Sequence, residues 1–364
     1  MRRAWMLLAL WPLAGCMRPA EGRALKDLEI GRAQGGGLSV VVEDGLAAVR
    51  AVESGALTLW GNAPAFQVRA TAAAGASEWW TLVVRNAMPD AVLTARVDGE
   101  PLEMEAGPAL LPTVKTWRVR LPQGREARLQ VAPPGWDQPQ PFRFAALADV
   151  QEALPRVEDI YRRINEDPTL RFIFFSGDLT ESGTREQLEE FQDRLGTSRI
   201  PLYATLGNHE TFVGDVEYQV MVGRGSQHFT YQGVRFSTLD TANGTVDPRV
   251  EEMFDGWLEA SRDAVHIVSM HIAPMDPVGV RNGSFSSRNE AAALIGKMAR
   301  AGVDLTLYGH VHSFYSFSNA GIPAFISGGG GAIPETFDGV GRHYLAVEVD
   351  PSAGVQEVAV VRVD

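Results

Sequence analysis

Hydrophobic and polar residues follow two different patterns along this chain. From residue 39 to about residue 131, short β-prone segments such as 39–42, 79–84 and 117–121 alternate with turns that contain Gly or Asp-Gly. Hydrophobic positions in this stretch show no helical period. Regularly spaced short strands without helices predict an all-β sandwich of the immunoglobulin or fibronectin kind over residues 39–135.

A second pattern begins after the proline-rich stretch 136–141, which we interpret as a linker between two domains. Apolar runs suited to buried strands, beginning with 142–148, alternate with segments whose hydrophobic residues have helical spacing. Thr184 and Gln187 have the spacing of a helix capping box. Strands and helices alternate first and strands dominate later, so residues 142–364 are predicted to form a four-layer α/β sandwich.

The amino terminus has the pattern of a secretion signal. Basic Arg2 and Arg3 precede the apolar run 4–13, which is too short to span a membrane. The run leads into Leu-Ala-Gly-Cys at residues 13–16, which resembles the lipobox of bacterial lipoproteins. That resemblance implies removal of residues 1–15 and lipidation of Cys16, which would anchor the protein stably to a membrane. The alternative is an ordinary secretory signal followed by a chance cysteine.

The residues after the signal bear on location. Met17 follows the cysteine, where Asp would resemble an inner-membrane retention signal. The lipoprotein resemblance therefore implies an extracytoplasmic protein of the bacterial cell envelope, at the outer membrane if the cell has two membranes. Residues 16–38 are polar and Gly-rich, a composition that predicts a flexible tether.

Charge and cysteine content narrow the choice of function. The chain carries 33 Lys and Arg against 45 Asp and Glu, a formal net charge of −12. This balance argues against a general nucleic-acid binder, which would show a basic face. Cys16 is the single cysteine in the sequence, so there is no intramolecular disulfide framework.

Metal-capable side chains follow the predicted strands of the second domain. The strand ends carry Asp149 with Gln151, Gly177-Asp178, Gly207-Asn208-His209-Glu210, His271, and Gly309-His310-Val311-His312. Any one of them alone could be structural, since a lone Asp often caps a helix and a lone His is usually a satisfied polar residue. Together they indicate a metal centre, because polar residues at the carboxyl ends of such strands meet at one edge of the fold. Asp, Asn and His without Cys favour Mn, Fe or Zn.

These five motifs, in this order, resemble those of calcineurin-like metallophosphoesterases over residues 142–364. The resemblance implies two divalent metal ions that activate a shared water for attack on a phosphate mono- or diester. It also implies the ligands: Asp178 bridging both ions, Asp149 and His312 on the first, and Asn208, His271 and His310 on the second. His209 matches the family's non-ligating histidine, which stabilises the transferring phosphoryl group or protonates the leaving group.

Two positions depart from related patterns. Gln151 stands where the first motif usually has histidine. A carboxamide oxygen is a weaker ligand than imidazole, so Gln151 is a candidate ligand of a looser first metal. A β-sandwich before the catalytic domain resembles the arrangement of purple acid phosphatases, but Glu181 occupies the position of their iron-binding tyrosine. We therefore expect no iron–tyrosinate colour.

Four further features have open interpretations. Arg281 and Arg288 either bind a substrate phosphate or carboxylate, or are exposed without a role. The glycines at 328–331 lack the Lys-Ser or Lys-Thr of a nucleotide-binding loop, so a turn packed beneath the site is favoured. Trp79 and Trp80 are most simply core and rim residues, with a carbohydrate platform as the alternative. His228 is interpreted as structural.

The sequence leaves several functions open. The first is a membrane-anchored hydrolase of phosphate mono- or diesters, with a small phosphate ester or nucleotide as substrate and no specific nucleic acid as partner. A pyrophosphate- or nucleotide-cleaving variant would use the same chemistry. A surface binding protein with a reduced or inactive metallophosphoesterase domain would explain Gln151, and a carbohydrate-binding lipoprotein would use Trp79 and Trp80. Specificity is expected to lie in loops 211–227 and 273–287; the sequence assigns neither the metal nor the oligomeric state.

Overall fold

The computed structural model describes residues 19–213, 217–279, 283–336 and 340–363. Strands dominate its first part. In chain order they are β1 (Arg32–Gly35), β2 (Leu38–Val42), β3 (Ala47–Glu53), β4 (Ala56–Gly61), β5 (Phe66–Ala72), β6 (Trp79–Arg85), β7 (Val92–Val97), β8 (Glu100–Pro101), β9 (Met104–Ala106), β10 (Val114–Arg120) and β11 (Glu126–Ala132). They form one sheet in the order β1-β2-β5-β11-β7-β8 and a second in the order β3-β4-β6-β10-β9.

The two sheets are held together by the alternation of their side chains. In β5, buried residues alternate with partly exposed ones along the whole strand, and β7 alternates between exposed and buried positions. Trp80 lies in the core, where its indole Nε1 donates to the Ser77 carbonyl at 2.7 Å. Trp79 lies at the rim with the Arg118 guanidinium 5.0 Å from its ring centroid. The expectation of core and rim positions is confirmed. Arg118 covers the face of the Trp79 ring on which a carbohydrate would have to stack.

Helices and strands share the second part of the chain. The helices are α1 (Pro19–Glu29), which precedes the first sheet, α2 (Glu158–Asn165), α3 (Arg185–Leu195), α4 (Tyr218–Met221), α5 (Pro248–Ala260) and α6 (Arg288–Ala301). The strands are β12 (Phe142–Leu147), β13 (Leu170–Ser176), β14 (Leu202–Thr205), β15 (Gln227–Tyr231), β16 (Val234–Leu239), β17 (His266–Met270), β18 (Leu305–Tyr308), β19 (Phe314–Asn319), β20 (Ile322–Ser327), β21 (His343–Asp350) and β22 (Gly354–Arg362). They form sheets in the orders β14-β13-β12-β21-β22 and β15-β16-β17-β18-β20-β19.

Both faces of these two sheets are buried, which explains why their central strands read as continuous apolar runs. In β13, Phe172 and Phe174 belong to the core between the sheets, while Ile173 and Phe175 belong to the core beneath α2 and α3. On the other sheet, residues of β17 pack beneath α5 and α6. The result is helix, sheet, sheet, helix. The predicted fold class, an all-β sandwich followed by a four-layer α/β sandwich, is confirmed.

The helix starts follow the capping signals. The Thr184 side chain accepts from the Gln187 N–H at 3.3 Å, and the Ser287 side chain accepts from the Glu290 N–H at 3.3 Å. Each satisfies one of the amide groups that the first turn of a helix leaves without an internal partner. Thr184 and Ser287 therefore fix where α3 and α6 begin.

The prediction of a flexible tether is wrong for residues 19–38. α1 is docked on the second part of the chain, because Arg23 and Asp27 on its inner face are almost fully buried. The Arg23 guanidinium makes two hydrogen bonds to Asp240, at 2.6 and 3.0 Å, and the Asp27 carboxylate accepts from the Ser226 N–H at 2.9 Å. β1 and β2 follow, and both belong to the first sheet. Composition missed this helix because it is anchored by buried polar groups rather than by an apolar stripe.

The predicted signal 1–15 and Cys16 lie outside the described residues. In the part of the chain that is described, no helix is long and apolar enough to cross a membrane. The predicted linker 136–141 lies between β11 and β12, and its Trp136 carbonyl accepts from the Gln232 N–H at 2.6 Å. The division into domains at 39–135 and 142–364 stays a prediction.

The sandwich also completes the edge of the neighbouring sheet. β14 is an edge strand, so its outward N–H and C=O groups need partners. The side chain of Asn86 accepts from the Leu202 N–H at 2.9 Å and donates to the Leu202 carbonyl at 2.6 Å. Asn62 does the same at Ala204, with distances of 3.0 and 3.4 Å. Two buried amides of the sandwich thus take the place of a neighbouring strand.

Candidate metal centre

Two buried carboxylates lie at the ends of adjacent parallel strands. Asp149 follows β12 and Asp178 follows β13, and both have positive φ, at 62° and 59°. This uncommon backbone conformation turns each carboxyl into the space between the strand ends. The Asp149 carboxylate accepts from the His310 N–H at 2.9 Å, and Asp178 Oδ1 accepts from the His209 N–H at 2.9 Å. The strand-end motifs therefore hold one another by backbone hydrogen bonds.

The histidine after β17 faces these carboxylates. His271 is fully buried, and its Nδ1 donates to the Ser176 carbonyl at 2.8 Å. Because a carbonyl only accepts, Nδ1 carries a proton, and Nε2 is the atom placed to bind a metal. Nε2 lies 2.9 Å from Asn208 Oδ1 and 3.3 Å from Asp178 Oδ2. Burial alone would lower the pKa of His271, but the charge of Asp178 and a contribution from Asp149 raise it to about 9.

Ionisation of the two carboxyl groups is coupled to the same imidazole. Burial raises the pKa of Asp149 well above its usual value, against the opposing charge of His271. Burial also disfavours ionised Asp178, but the charge of His271 and its hydrogen bond outweigh this and lower the pKa of Asp178 to about 2. Two carboxyl groups this deeply buried call for a positive charge between them.

Asn208 lies between the other residues of the second predicted ligand set. Its Oδ1 lies 2.9 Å from His271 Nε2 and 2.9 Å from His310 Nδ1. Ligand atoms of Asp178, His271 and His310 all lie within 4.8 Å of one another. Three residues from separate strand ends, together with Asn208, therefore converge as a metal site requires.

The first predicted ligand set converges beside it. His312 Nδ1 donates to the Ile333 carbonyl at 2.7 Å, and its Nε2 lies 3.6 Å from Asp149 Oδ1. The carboxamide of Gln151 places its nitrogen 2.7 Å from Asp178 Oδ2 and 3.2 Å from His312 Nε2. The Gln151 amide thus lies between the Asp178 carboxylate and the His312 imidazole, two groups that could also bind a cation.

The donor set fits divalent cations of the hard-to-borderline kind. It consists of carboxylate and carboxamide oxygens with imidazole nitrogens, and each buried histidine is oriented by a backbone carbonyl on its other nitrogen. Such carbonyl partners fix the ring orientation before any ion binds. The geometry therefore supports a metal centre at this edge of the sheets.

His209 lies next to the cluster without joining it. Its Nδ1 is 2.7 Å from the Glu181 carbonyl, and its Nε2 is 3.9 Å from Asp178 Oδ2. The ring is partly exposed and contacts Phe212, with ring centroids 4.5 Å apart. The position and partial exposure of His209 suit a residue that contacts substrate rather than one that binds a metal.

Glu210 is a site residue to which the sequence assigned no role. Its carboxylate is fully buried and accepts from the N–H groups of Asp178 at 3.0 Å, Thr180 at 3.0 Å and Gly207 at 2.8 Å. It therefore ties the loop after β13 to the loop after β14. Burial, with a contribution from the charge of Asp178, raises its pKa to about 7. The acidic residue directly after Asn208-His209 was the only signal for this role.

Glycines allow the loops to approach this closely. A Cβ on Gly207 would overlap Asp178 Oδ1, and one on Gly328 would come within 2.9 Å of Asp149 Oδ2. The Gly330 N–H donates to the Ala148 carbonyl at 2.9 Å, directly before Asp149. The interpretation of 328–331 as a turn packed beneath the site is confirmed.

The remaining candidates lie apart from the cluster. Arg281 lies outside the described residues. Arg288 is exposed in the first turn of α6, and no contact among the described residues joins it to the cluster. A substrate role for either arginine stays a prediction. His228 on β15 bonds Ser237 at 3.0 Å and stacks on Trp257, in keeping with a structural role.

Comparison with known proteins identifies the second part of the chain. Residues 142–314 match the sequence model of the calcineurin-like phosphoesterase family. This region is a calcineurin-like metallophosphoesterase domain. A 3',5'-cyclic-nucleotide phosphodiesterase of Nostoc sp. is 24% identical over 164 residues, which cover 42% of this chain and 60% of that protein. The chain thus matches less than two thirds of that relative's length.

Two solved structures show a likeness in fold. PhoD has 13% identity and a TM-score of 0.46, covering 79% of this chain and 82% of PhoD. A dimetal phosphatase from Danio rerio has 12% identity and a TM-score of 0.46, covering 61% of this chain and 99% of its own. In this chain the metallophosphoesterase domain is preceded by the two β-sheets of the first part.

Proposed function

We propose that this protein hydrolyses phosphate mono- or diesters with a dinuclear metal centre. The observation that carries the proposal is the convergence of five strand-end motifs on one buried cluster with His209 at its rim. The proposed first-metal ligands are Asp149 and His312, with Gln151 as a candidate, and the second-metal ligands are Asn208, His271 and His310, with Asp178 bridging. Two divalent ions of Mn, Fe or Zn, when bound, would lower the pKa of a water and offset phosphoryl charge.

The protein's own groups prepare the site for this chemistry. Glu210 fixes the two loops that carry Asp178 and Asn208, and the carbonyl of Glu181 holds the proton of His209 on Nδ1 in its neutral form. Nε2 of His209 then faces the site, where in its protonated form it would donate to the departing oxygen. In both states it is placed to stabilise phosphoryl charge.

A second part of the proposal concerns location. We propose that Cys16 is lipidated after removal of residues 1–15 and that the enzyme is anchored at the bacterial cell envelope, outside the cytoplasm. The lipobox-like residues 13–16 support this. Radiolabelled palmitate should enter wild-type protein and not the Cys16→Ser variant; equal labelling of both would remove the anchor.

The activity is tested on metal-reconstituted full-length protein. With Mn it should cleave bis-p-nitrophenyl phosphate, and chelator should abolish the rate. His209→Ala should lower kcat at least about a hundredfold, as expected for loss of a group that stabilises phosphoryl charge, while bound metal stays at the wild-type amount. His228→Ala serves as the matched control and should keep the rate. A kcat of His209→Ala close to that of wild type would contradict the assigned role.

The rival functions give different outcomes. Two bound ions without turnover on any monoester, diester or nucleotide would favour the binding protein. The Nostoc relative, named for cleavage of 3',5'-cyclic nucleotides, supports including cyclic nucleotides in the substrate panel. A rate confined to nucleoside diphosphates or triphosphates would favour the pyrophosphate-cleaving variant. Polysaccharide affinity that is insensitive to chelator would favour the carbohydrate-binding alternative.

A further inference from the structure

An exposed aromatic ring lies beside the proposed acid. Phe212 is 62% exposed although its ring contacts that of His209 at 4.5 Å. The short helical turn His209–Thr211 fixes this arrangement, because the Thr211 hydroxyl donates to the Asn208 carbonyl at 2.7 Å. The ring is therefore held in place beside the edge of the site that His209 occupies. A phenyl face presented to solvent at a fixed position can stack on an apolar or aromatic group.

Further exposed apolar side chains belong to the same set of loops. Ile333 is 66% exposed, and its carbonyl orients the metal-site residue His312. Met275 is 48% exposed and follows His271 by four positions in the chain. Single exposed apolar residues are ordinary on a protein surface. Phe212, Ile333 and Met275 thus add exposed apolar surface to loops that carry or follow site residues.

Carboxylates adjoin the same histidine. A carboxylate oxygen of Glu181 lies 3.6 Å from His209 Nδ1. Glu152, next to Gln151, lies close enough to Glu181 for the two side chains to interact. Any group that stacks on Phe212 next to His209 therefore meets at least one nearby negative charge.

We infer that the leaving group of the substrate is an apolar, aryl-like alcohol without negative charge, which stacks on Phe212. The inference rests on the proposed phosphoester hydrolysis. In that reaction a water oxygen forms the new bond to phosphorus and the bond from phosphorus to the leaving oxygen breaks. The electron pair stays on that oxygen, which takes a proton from His209. The attacking water loses a proton to solvent, and His209 regains one from solvent. Phe212 and Glu181 both adjoin His209, so they are placed to influence which leaving group it protonates.

This selection separates the candidate substrates. A nucleoside phosphate that departs from a pyrophosphate carries negative charge and would be repelled by Glu181 and Glu152. A neutral aromatic alcohol gains the ring contact without that repulsion. The inference therefore favours phosphate esters of uncharged aryl-like alcohols over pyrophosphates.

Two substrates that differ by one charge test it. Methyl 4-nitrophenyl phosphate and its analogue with a carboxylate on the nitrophenyl ring share the same ester chemistry. Mn-reconstituted wild-type protein should prefer the uncharged leaving group in kcat/KM. Phe212→Ala should lower kcat/KM for it about fivefold, the scale of one aromatic contact. Glu152→Gln combined with Glu181→Gln should raise the relative kcat/KM of the carboxylated substrate about threefold.

Matched variants serve as controls. Leu110→Ala removes another highly exposed apolar side chain in the first part of the chain, and Glu186→Gln removes an exposed carboxylate in α3. Both should stay within twofold of wild type. Equal wild-type rates on the two substrates, or an unchanged Phe212→Ala, would overturn the inference.

A binding readout separates failure of this inference from failure of the proposed activity. Calorimetry on the metal-reconstituted full chain compares phenylphosphonate with methylphosphonate. Wild-type protein should bind the phenyl compound more tightly, and Phe212→Ala should lose this preference while keeping its affinity for methylphosphonate. If no ester is turned over, the proposed activity fails. A preference for the phenyl compound that is lost in Phe212→Ala would still support stacking on Phe212. No preference in wild type refutes it.

Discussion

At the scale of single residues, Gln151 is the departure with the most direct chemical consequence. Its carboxamide lies between Asp178 and His312, two residues that would hold the first metal. Gln151 also has a positive φ of 47°, so the backbone already holds this side chain toward the site. Replacing the amide by imidazole would exchange a weak donor for a strong one at the same position.

Gln151→His should therefore bind the first metal on the order of ten times more tightly, since even the outer-shell partners of metal ligands change affinity by about ten- to a hundredfold. Competition with a metal-binding dye measures the change, and metal content per chain checks the stoichiometry. Gln356→His, on the surface near the carboxyl end, controls for an added histidine. Unchanged affinity for both ions would show that Gln151 lies outside the coordination sphere.

At the scale of elements, the strand that leads into Gly207-Asn208-His209 is held from both sides. β14 pairs with β13 on one edge, and Asn62 and Asn86 of the sandwich bond its other edge. Both amides are buried, with relative exposures of 0% and 2%. The sandwich thus has a structural part in the site, because it satisfies the strand that carries the proposed acid.

Asn86→Ala leaves the N–H and carbonyl of Leu202 buried without these partners. We expect this to lower the free energy of unfolding by about 1–3 kcal/mol. Urea unfolding measures the change. Asn165→Ala is the matched control, since Asn165 makes the same kind of bonds to the backbone nearer the surface. Equal losses in the two variants would contradict a special role for the buried amide.

At the scale of the whole molecule, the two parts of the chain share one core. Buried residues of the first sheets and those between the later sheets form one continuous hydrophobic cluster. α1 adds a buried ion pair between Arg23 and Asp240. If Cys16 is lipidated as proposed, the three residues 16–18 before α1 span at most about 10 Å. The docked helix would then hold the enzyme close to the membrane surface rather than on a long tether.

Buried histidines away from the site make stability depend on pH. Burial, with a further effect of Arg235, lowers the pKa of His228 to about 4. Burial and the neighbouring His228 lower that of His266 to about 3. At these two histidines the unfolded chain therefore binds more protons than the native one below pH 6.5. Their contribution to stability is fully present above that pH and is lost as the pH drops toward 4.

Between pH 6.5 and pH 5, His266 should contribute a loss of about 2 kcal/mol. Urea unfolding of metal-free protein at pH 7 and pH 5 measures the total change. His266 Nε2 lies 2.8 Å from Ser237 Oγ. The His266→Gln variant should lack this share, because Gln can still bond Ser237 and takes up no proton. The same pH dependence in variant and wild type would contradict the assignment. The difference between the two proteins cancels contributions from the carboxyl groups of the site.

The sequence alone determined the fold class and the candidate site residues. Alternation of side chains predicts the sandwich, buried runs between helices predict the α/β layers, and Asp149, Asp178 and Asn208 stand at strand ends that parallel topology brings together. These predictions rest on patterns among residues that are near one another in the chain. The tether prediction failed because such local patterns do not reveal partners that are distant in the chain. Arg23 and Asp27 look solvated in sequence, and only their distant partners reveal that they are buried.

Contacts between residues far apart in the chain were decided by tertiary structure alone. In the sequence, Asn62 and Asn86 look like ordinary loop and turn residues. Their role is visible only in the fold, where β14 lies against them. Glu210 gained its role from amide groups of loops that the sequence separates, and Gly207 was needed because Asp178 comes so close. Burial of a polar group costs free energy unless a partner is present, and that partner is fixed only when the chain is folded. The sequence therefore named the candidate ligands, and the fold determined what orients them.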